Sequence, residues 1–419
     1  MTLPDRGDAA PFADRLDRLA EVAVRVGLGL RTGQELILTA PLDALPLARA
    51  ITEQAYRAGA SLVTTLYGDD AATLARFAHA EDAAFDTAAG WLYAGMAEAY
   101  RNGAARLAIA GDDPSLLAGQ DTERVARANR SRSKAYVPAL EMIAGFATNW
   151  TIVSAATPAW ARTVFPDLPE ADAVGRLWEA IFSASRIDGS DPIGAWDAHN
   201  RNLRTRTDAL NGHRFAALRF RGPDTDLVVG LADDHEWCGG ATTARNGIVC
   251  NANIPTEEVF TTPHRARVDG TVASTKPLSY QGTLIDGIRV RFAEGRIVEA
   301  TARTGGDVLA KVLETDEGAA RLGEVALVPA SSPISASGLL FFNTLYDENA
   351  ASHIALGQAY SKCFRDGGSG LSEDDLAARG ANRSLIHIDW MIGSAAIDVD
   401  GLDAEGRGVP VMRAGEWAA

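Results

Sequence analysis

Residues 35–67 read "ELILTAPLDALPLARAITEQAYRAGASLVTTLY", two short apolar runs, "ELILTA" (35–40) and "SLVTTLY" (61–67), flanking the helix-period segment "PLARAITEQAYRAGA" (46–60). Parallel strands need a crossover of about a dozen residues or more, usually a helix, so the stretch reads as a β–α–β unit. The pattern recurs at "ARLAIAG" (105–111) and "TIVSAA" (151–156), with the helical "DTERVARANRSRSKAYVPALEMIAGFA" between them. Strands alternating with helices predict an α/β amino-terminal domain, doubly wound around a mostly parallel sheet. Two further helical segments, "LPEADAVGRLWEAIFSASR" and "IGAWDAHNRNLRTRTDALNG", follow without a strand and read as a bridge.

After about His213 the character changes. "RFAALRF", "DLVVGL", "GTVASTKPLSY", "GTLIDGIRVRFAEGRIVEATAR", "GEVALVP" and "SLIHIDWMIGS" are strand-like and punctuated by Gly and Asp, with a hairpin expected around Glu294 and Gly295. The expected layout is an α/β domain with its helical bridge over 1–210, and a β-rich α+β catalytic domain over 211–419. A chain of 419 residues exceeds the usual size of a single core, which fits two domains.

The formal charge of −15, with no Lys/Arg-rich run, argues against nucleic acid or an anionic membrane as partner and leaves a cationic ligand or a metal open. The amino-terminal stretch carries acids and no apolar core of signal-peptide length, and no later run would span a bilayer, so a cytoplasmic location is expected. Cys238, Cys250 and Cys363 show no CxxC spacing and read as buried or indifferent thiols.

"GLGLRTG" (27–33) has the wrong spacing for a dinucleotide fingerprint and precedes a strand instead of following one; it reads as a helix-to-strand turn. GxxxxGK[ST], GxSxG and HExxH are all absent from the sequence. The chemistry-bearing residues lie in the second half. In "HID", alternation puts His387 and Asp389 on one strand face, where an imidazole and a carboxylate can share a divalent cation; a surface strand with one polar face explains the same pattern. Glu324 opens the buried-looking run of "GEVALVP", where a charge is costly unless paired or metal-bound, although a rim position in water would also serve. Glu257 and Glu258, between the prolines of "NIPTEEVFTTP", read singly as a solvated loop. "NTLYDENAASHIALGQAYSKC" (343–363) reads as a helix with Asp347 and Glu348 at its start, where acids suit the dipole, and His353 and Tyr360 seven apart on one face.

"NIPTEEVFTTP", "GEVALVPASSPISASGLLFFNTLYDENAASHIALGQAY" and "HIDWMIGS" together resemble the metalloaminopeptidase family that includes aminopeptidases T and S, over most of 245–395. The resemblance implies removal of amino-terminal residues from peptides with a free amino terminus. It implies two divalent ions per subunit (cobalt, zinc or magnesium) and a homodimer with active sites facing an enclosed space. Its ligand positions fall here on Glu258, Glu324, Glu348, His353, His387 and Asp389. Tyr360 becomes the donor to the oxyanion, and Glu257, beside the ligand Glu258, a candidate general base. Tyr346 and Trp390 stand where Phe is usual, which keeps an aromatic wall. Two other readings use the same residues: a dinuclear amidase or esterase acting on small non-peptide substrates, and a noncatalytic metal- or peptide-binding protein.

Overall fold

The computed structural model describes residues 11–280, 283–368 and 370–418. The first ten residues, which form part of the stretch read above for a leader peptide, and Gly282, the first residue of one expected strand segment, lie outside the described residues. The chain divides into two compact units: residues up to Ala198 together with Ala241–Pro255, and His199–Gly240 together with Thr256–Ala419.

The first unit begins with α1 (Phe12–Val22) and the wider turn Ala23–Leu28, which leads into β1 (Glu35–Pro41). Gly29 ends that turn at φ 59°, and a Cβ there would meet the Val249 carbonyl at 2.2 Å, so "GLGLRTG" needs its glycine for a tight helix-to-strand connection. α2 (Leu45–Arg57) buries Leu47, Ala48, Ile51 and Ala55, one helical stripe, and carries the chain to β2 (Leu62–Gly68). There follow α3 (Asp70–His79), α4 (Gly90–Arg101), β3 (Ala105–Ala110), α5 (Thr122–Ala144) and β4 (Trp150–Ser154). The sheet runs β2-β1-β3-β4 with every neighbour pair parallel, as the opening stretch predicts. Leu36 and Leu38 of the interior strand β1 are at most 1% exposed, and each such side chain contributes on the order of 1.5–3 kcal/mol. The bridge is helical: α6 (Pro158–Val164), α7 (Glu170–Ala184) and α8 (Pro192–His213).

In the second unit β5 (Ala217–Gly222) and β6 (Thr225–Leu231) form a hairpin followed by β7 (Cys238–Gly239). The hairpin β8 (Thr242–Thr243) and β9 (Val249–Cys250) belongs to the segment that returns to the first unit. The second unit resumes with β10 (Val259–Thr261), β11 (Pro263–Ala273), β12 (Leu278–Tyr280), β13 (Thr283–Ile285), β14 (Arg289–Ala293), β15 (Arg296–Thr301) and α9 (Gly306–Leu313). Its remaining strands are β16 (Leu322–Leu327), β17 (His353–Gly357), β18 (His387–Met391), β19 (Asp398–Leu402), β20 (Gly408–Arg413) and β21 (Glu416–Trp417).

Two large antiparallel sheets result, an eight-stranded one in the order β15-β14-β11-β6-β5-β19-β20-β21 and a five-stranded one in the order β18-β17-β16-β10-β7, beside the two-stranded pair β12-β13. The β14–β15 hairpin turns on Glu294 and Gly295, both at positive φ, the pattern of a type I′ turn and the hairpin the sequence predicts. One core joins the sheets: Phe220, Leu227 and Phe292 from the larger pack with Val325, Ile354, Leu356 and Trp390 from the smaller. All three cysteines are free thiols; Cys250 and Cys363 are buried and Cys238 is half-buried. No helix among the described residues is long and apolar enough to cross a membrane.

Candidate metal centre

With Val325, Ile354 and Trp390 turned into the core, alternation turns Glu324, His353 and Asp389 to the opposite face of the five-stranded sheet. Register lines them up. Ala355 of β17 pairs with Glu324 on one side and Asp389 on the other; Ala326 pairs with His353, and Gly357 with His387. The central strand thus presents Ala355 and Gly357 between larger neighbours, which leaves room for carboxylates and imidazoles above it. Gly357 is required there, since at φ 99° a Cβ would lie 2.1 Å from the Ile386 carbonyl. A bulge between Leu322 and Glu324 shifts register where the glutamate enters the sheet. Glu258 arrives from the segment just before β10, the neighbour of β16.

The donor atoms form two triplets, Glu258–Glu324–His353 and Glu324–His387–Asp389, in each of which one ligand atom per residue lies within 4.8 Å of the others. Glu324 belongs to both. His353 Nε2 is 3.2 Å from Glu258 Oε2 and 3.5 Å from Glu324 Oε1; His387 Nε2 is 3.4 Å from Asp389 Oδ1 and 3.9 Å from Glu324 Oε2. Despite the 3.2 Å approach, His353 Nε2 and Glu258 Oε2 are not aligned as a hydrogen bond, and both are buried without one. Atoms gathered in this way could serve as donors to a common centre. The other ring nitrogens fix the tautomers. His353 Nδ1 lies 3.1 Å from the Ala351 carbonyl and His387 Nδ1 2.7 Å from the Gln358 carbonyl. A carbonyl only accepts, so in the neutral rings Nδ1 carries the proton and Nε2 presents its lone pair.

Charge makes the same point. Glu258, Glu324 and Asp389 are at most 9% exposed, and among the described residues no Lys or Arg forms a salt bridge with them or with Glu348. An unpaired buried carboxylate costs several kcal/mol, so the cluster is not a stabilising device in itself. Burial, followed by the charges of Glu258 and Asp389, raises the Glu348 pKa well above its ordinary value, and burial raises that of Glu324. Burial opposes protonation of His353, but the adjacent Glu258 and Glu324 outweigh it and raise its pKa. His387, where Asp389 outweighs burial in the same way, is pushed up to about 9, while the imidazole holds the Asp389 carboxyl below its usual range. This donor set of carboxylates and imidazoles without sulfur fits a divalent cation.

Glu348 stands close enough to feel Glu258, Asp389, His353 and Glu324, but it is outside both triplets. Glu257 is 4% exposed, with its amide donating to Asn349 Oδ1 at 2.6 Å and its Oε2 3.9 Å from His199 Nε2. The solvated loop expected for Glu257 and Glu258 is therefore wrong: both side chains are buried. Glu324, likewise, sits inside β16 and not at a wet rim. The Tyr360 ring lies against His387, tilted at 48° with 4.6 Å between centroids. The residue as a whole is 41% exposed, yet its hydroxyl end is set deep enough that burial, then Glu324 and Asp389, raise its pKa.

The expected helix over 343–363 is corrected. Only Thr344–Asp347 is α-helical, capped by Asn343, and Glu348–Ala350 continues it as a single 3₁₀ turn. Asp347 and Glu348 thus lie at the end of a short helix. Asp347 accepts from the Phe341 and Asn343 amides at 2.7 and 3.0 Å, fixing the turn before it. His353 opens β17, and Tyr360 lies beyond that strand, so the two share no helix face. β17 is buried along its whole length between two partners, and a continuous apolar run loses the alternation that distinguishes strand from helix. Asn349 and His199 were not singled out in the sequence. Asn349 is fully buried and holds Glu257 through its carbonyl oxygen; its place in "DEN" is the one available signal, and nothing local marks His199.

A sheet that converges buried glutamates, histidines and an aspartate makes a candidate metalloenzyme centre, and the profile of the thermophilic metalloprotease (M29) family matches residues 12–417. The chain belongs to that family. Aminopeptidase T of Thermus thermophilus is 56% identical over 406 residues, covering 97% of this chain and 99% of its own length. Aminopeptidase 2 of Geobacillus stearothermophilus is 45% identical over 403 residues, covering 96% and 97%. The solved structure of wild-type AmpT from Thermus thermophilus matches with a TM-score of 0.93 at 55% identity, covering 98% of this chain and 100% of that one. The protein is a metal-dependent aminopeptidase, a hydrolase.

Proposed function

We propose that the protein removes the first residue from peptides with a free amino terminus, using two divalent cations that Glu258, Glu324, His353, His387 and Asp389 would hold. The observation that carries this reading is that Glu324 belongs to both donor triplets. Glu258 and His353 complete one centre, and His387 and Asp389 the other; Glu348 is assigned as a sixth donor on the family resemblance. The carboxylates of Glu258, Glu324, Glu348 and Asp389 carry four formal negative charges, which two divalent cations neutralise. Cobalt, zinc and magnesium all accept such oxygen and nitrogen donors. When bound, such a pair of ions polarises a peptide carbonyl and lowers the pKa of a water molecule.

The side chains supply the rest. Tyr360, whose raised pKa keeps its hydroxyl protonated, donates a hydrogen bond to the oxyanion of the tetrahedral intermediate. Glu257, buried and held through its amide by Asn349, accepts the proton of the attacking water. A free α-amine held at the site beside the ions would restrict cleavage to the first peptide bond. We extend the reading, on the family resemblance alone, to a cytoplasmic homodimer. Anomalous scattering at the metal edges from one crystal, paired with turnover of aminoacyl-p-nitroanilides against simple esters, tests the proposal. Two ions bridged by Glu324 and activity on the anilides are expected; one ion, or turnover of esters alone, would overturn it.

A further inference from the structure

The second unit contains a cavity of about 220 Å³ that none of the catalytic assignments uses. Part of its wall is Ala351 and Ser352, the residues directly before His353, and another part is Gly393 and Ser394, just beyond β18. Among the described residues no acidic side chain lines it. Among the described residues its one charged lining side chain is Lys276, half-buried, which makes no hydrogen bond or ion pair with any of them. The charge of Lys276 reaches Asp347, but that carboxylate is already engaged by the Phe341 and Asn343 amides. Ser394 Oγ accepts from the Ala396 amide at 3.1 Å, which leaves its own proton to donate. The lining thus includes an ammonium-bearing side chain and a hydroxyl donor, two groups that suit an anion. The remaining wall includes Val328, Ile397 and Met412. Apolar walls of this kind disfavour a fully hydrated anion such as phosphate and favour a short hydrocarbon chain. A volume of about 220 Å³ has room for several heavy atoms, enough for a carboxylate carrying a chain of a few carbons.

We propose that this cavity is a binding site for a short-chain aliphatic monocarboxylate, with the carboxylate on Lys276 and Ser394 and the chain against Val328, Ile397 and Met412. Its position behind the segment that seats His353 places the ligand against the Ala351 carbonyl's own stretch of chain, apart from the donor cluster.

The test uses the metal-loaded enzyme and does not depend on turnover. Calorimetric titration with pentanoate and with inorganic phosphate is compared between wild type, Lys276→Gln and Ala330→Leu, the last filling the cavity from its wall. A crystal soaked with bromobutyrate locates the halogen by its anomalous signal. Pentanoate binding, weakened about tenfold or more in Lys276→Gln and lost in Ala330→Leu, with bromine in the cavity, is the expected result. Bromine found only at the donor cluster, equal binding of phosphate, or undiminished pentanoate binding in Lys276→Gln would each overturn the proposal.

Discussion

Replacing Glu324 with glutamine keeps the side chain's size while removing its charge and one carboxylate oxygen, at the residue common to both donor triplets. An ion held at about a hundredfold excess over its dissociation constant stabilises the native state by about 2.7 kcal/mol. Two such ions contribute about 5 kcal/mol, which at about 2–4 °C per kcal/mol for a unit of this size separates loaded from chelated protein by about 10–20 °C. Loss of even an outer-shell partner weakens metal binding by as much as a hundredfold, so the loss of a shared ligand weakens both ions by about that factor or more. Each increment then falls to about 0.4 kcal/mol, and the metal-dependent rise shrinks to about 2–3 °C. The chelated proteins behave in the opposite sense. Burial, with Glu258 and Asp389, raises the Glu324 pKa, so ionised Glu324 destabilises the metal-free fold and the glutamine variant melts no lower than wild type. The assay is thermal melting with and without chelator, together with metal content per chain. If loaded Glu324→Gln melts within about 2 °C of loaded wild type and retains its full metal complement, the shared-carboxylate reasoning is wrong.

Tyr360→Phe keeps the ring on His387 and removes only the hydroxyl; kcat is expected to fall about 10²–10³-fold with metal content and melting temperature unchanged, and an unchanged kcat would end the oxyanion role. Glu257→Gln should remove the acid limb of the pH–rate profile, and a profile identical to wild type would withdraw the base assignment. In chelated protein His387 titrates at about 9, above its unfolded value near 6.5, so its pairing with Asp389 stabilises fully below about 6.5 and is lost as pH rises through about 9. The melting difference between chelated wild type and chelated His387→Gln should therefore close across that window; a gap that ignores pH would contradict it. Gly357→Ala forces a Cβ against the Ile386 carbonyl at positive φ and should destabilise by about 1–3 kcal/mol in a urea melt, whereas a neutral result would show that β17 has slack beside Glu324 and Asp389.

Local patterns were legible wherever one residue's neighbours in sequence are also the neighbours that matter. The crossover between β1 and β2, the Glu294–Gly295 hairpin, and the shared face of His387 and Asp389 all follow from helix period, turn chemistry and strand alternation. The family motif supplied which glutamates and histidines to watch, and it placed Tyr360 at the site although the expected helix around it does not exist. That helix failed because burial on both sides of β17 erases alternation. Identical apolar residues then serve strand or helix, and only pairing with β16 and β18 decides between them.

The sequence by itself determined the two structural characters of the chain and the residue types of a candidate carboxylate–histidine metal centre, because composition and short-range periodicity are properties of contiguous residues. Tertiary structure alone decided that Glu258 and Glu324, which read singly as solvated, are buried, and that Ala355 and Gly357 open the space between the donors. It alone made Glu324 common to two triplets and returned Ala241–Pro255 to the first unit. Each of these depends on strand register and on contacts between residues far apart in the chain, and a burial cost is fixed only when the covering elements are in place.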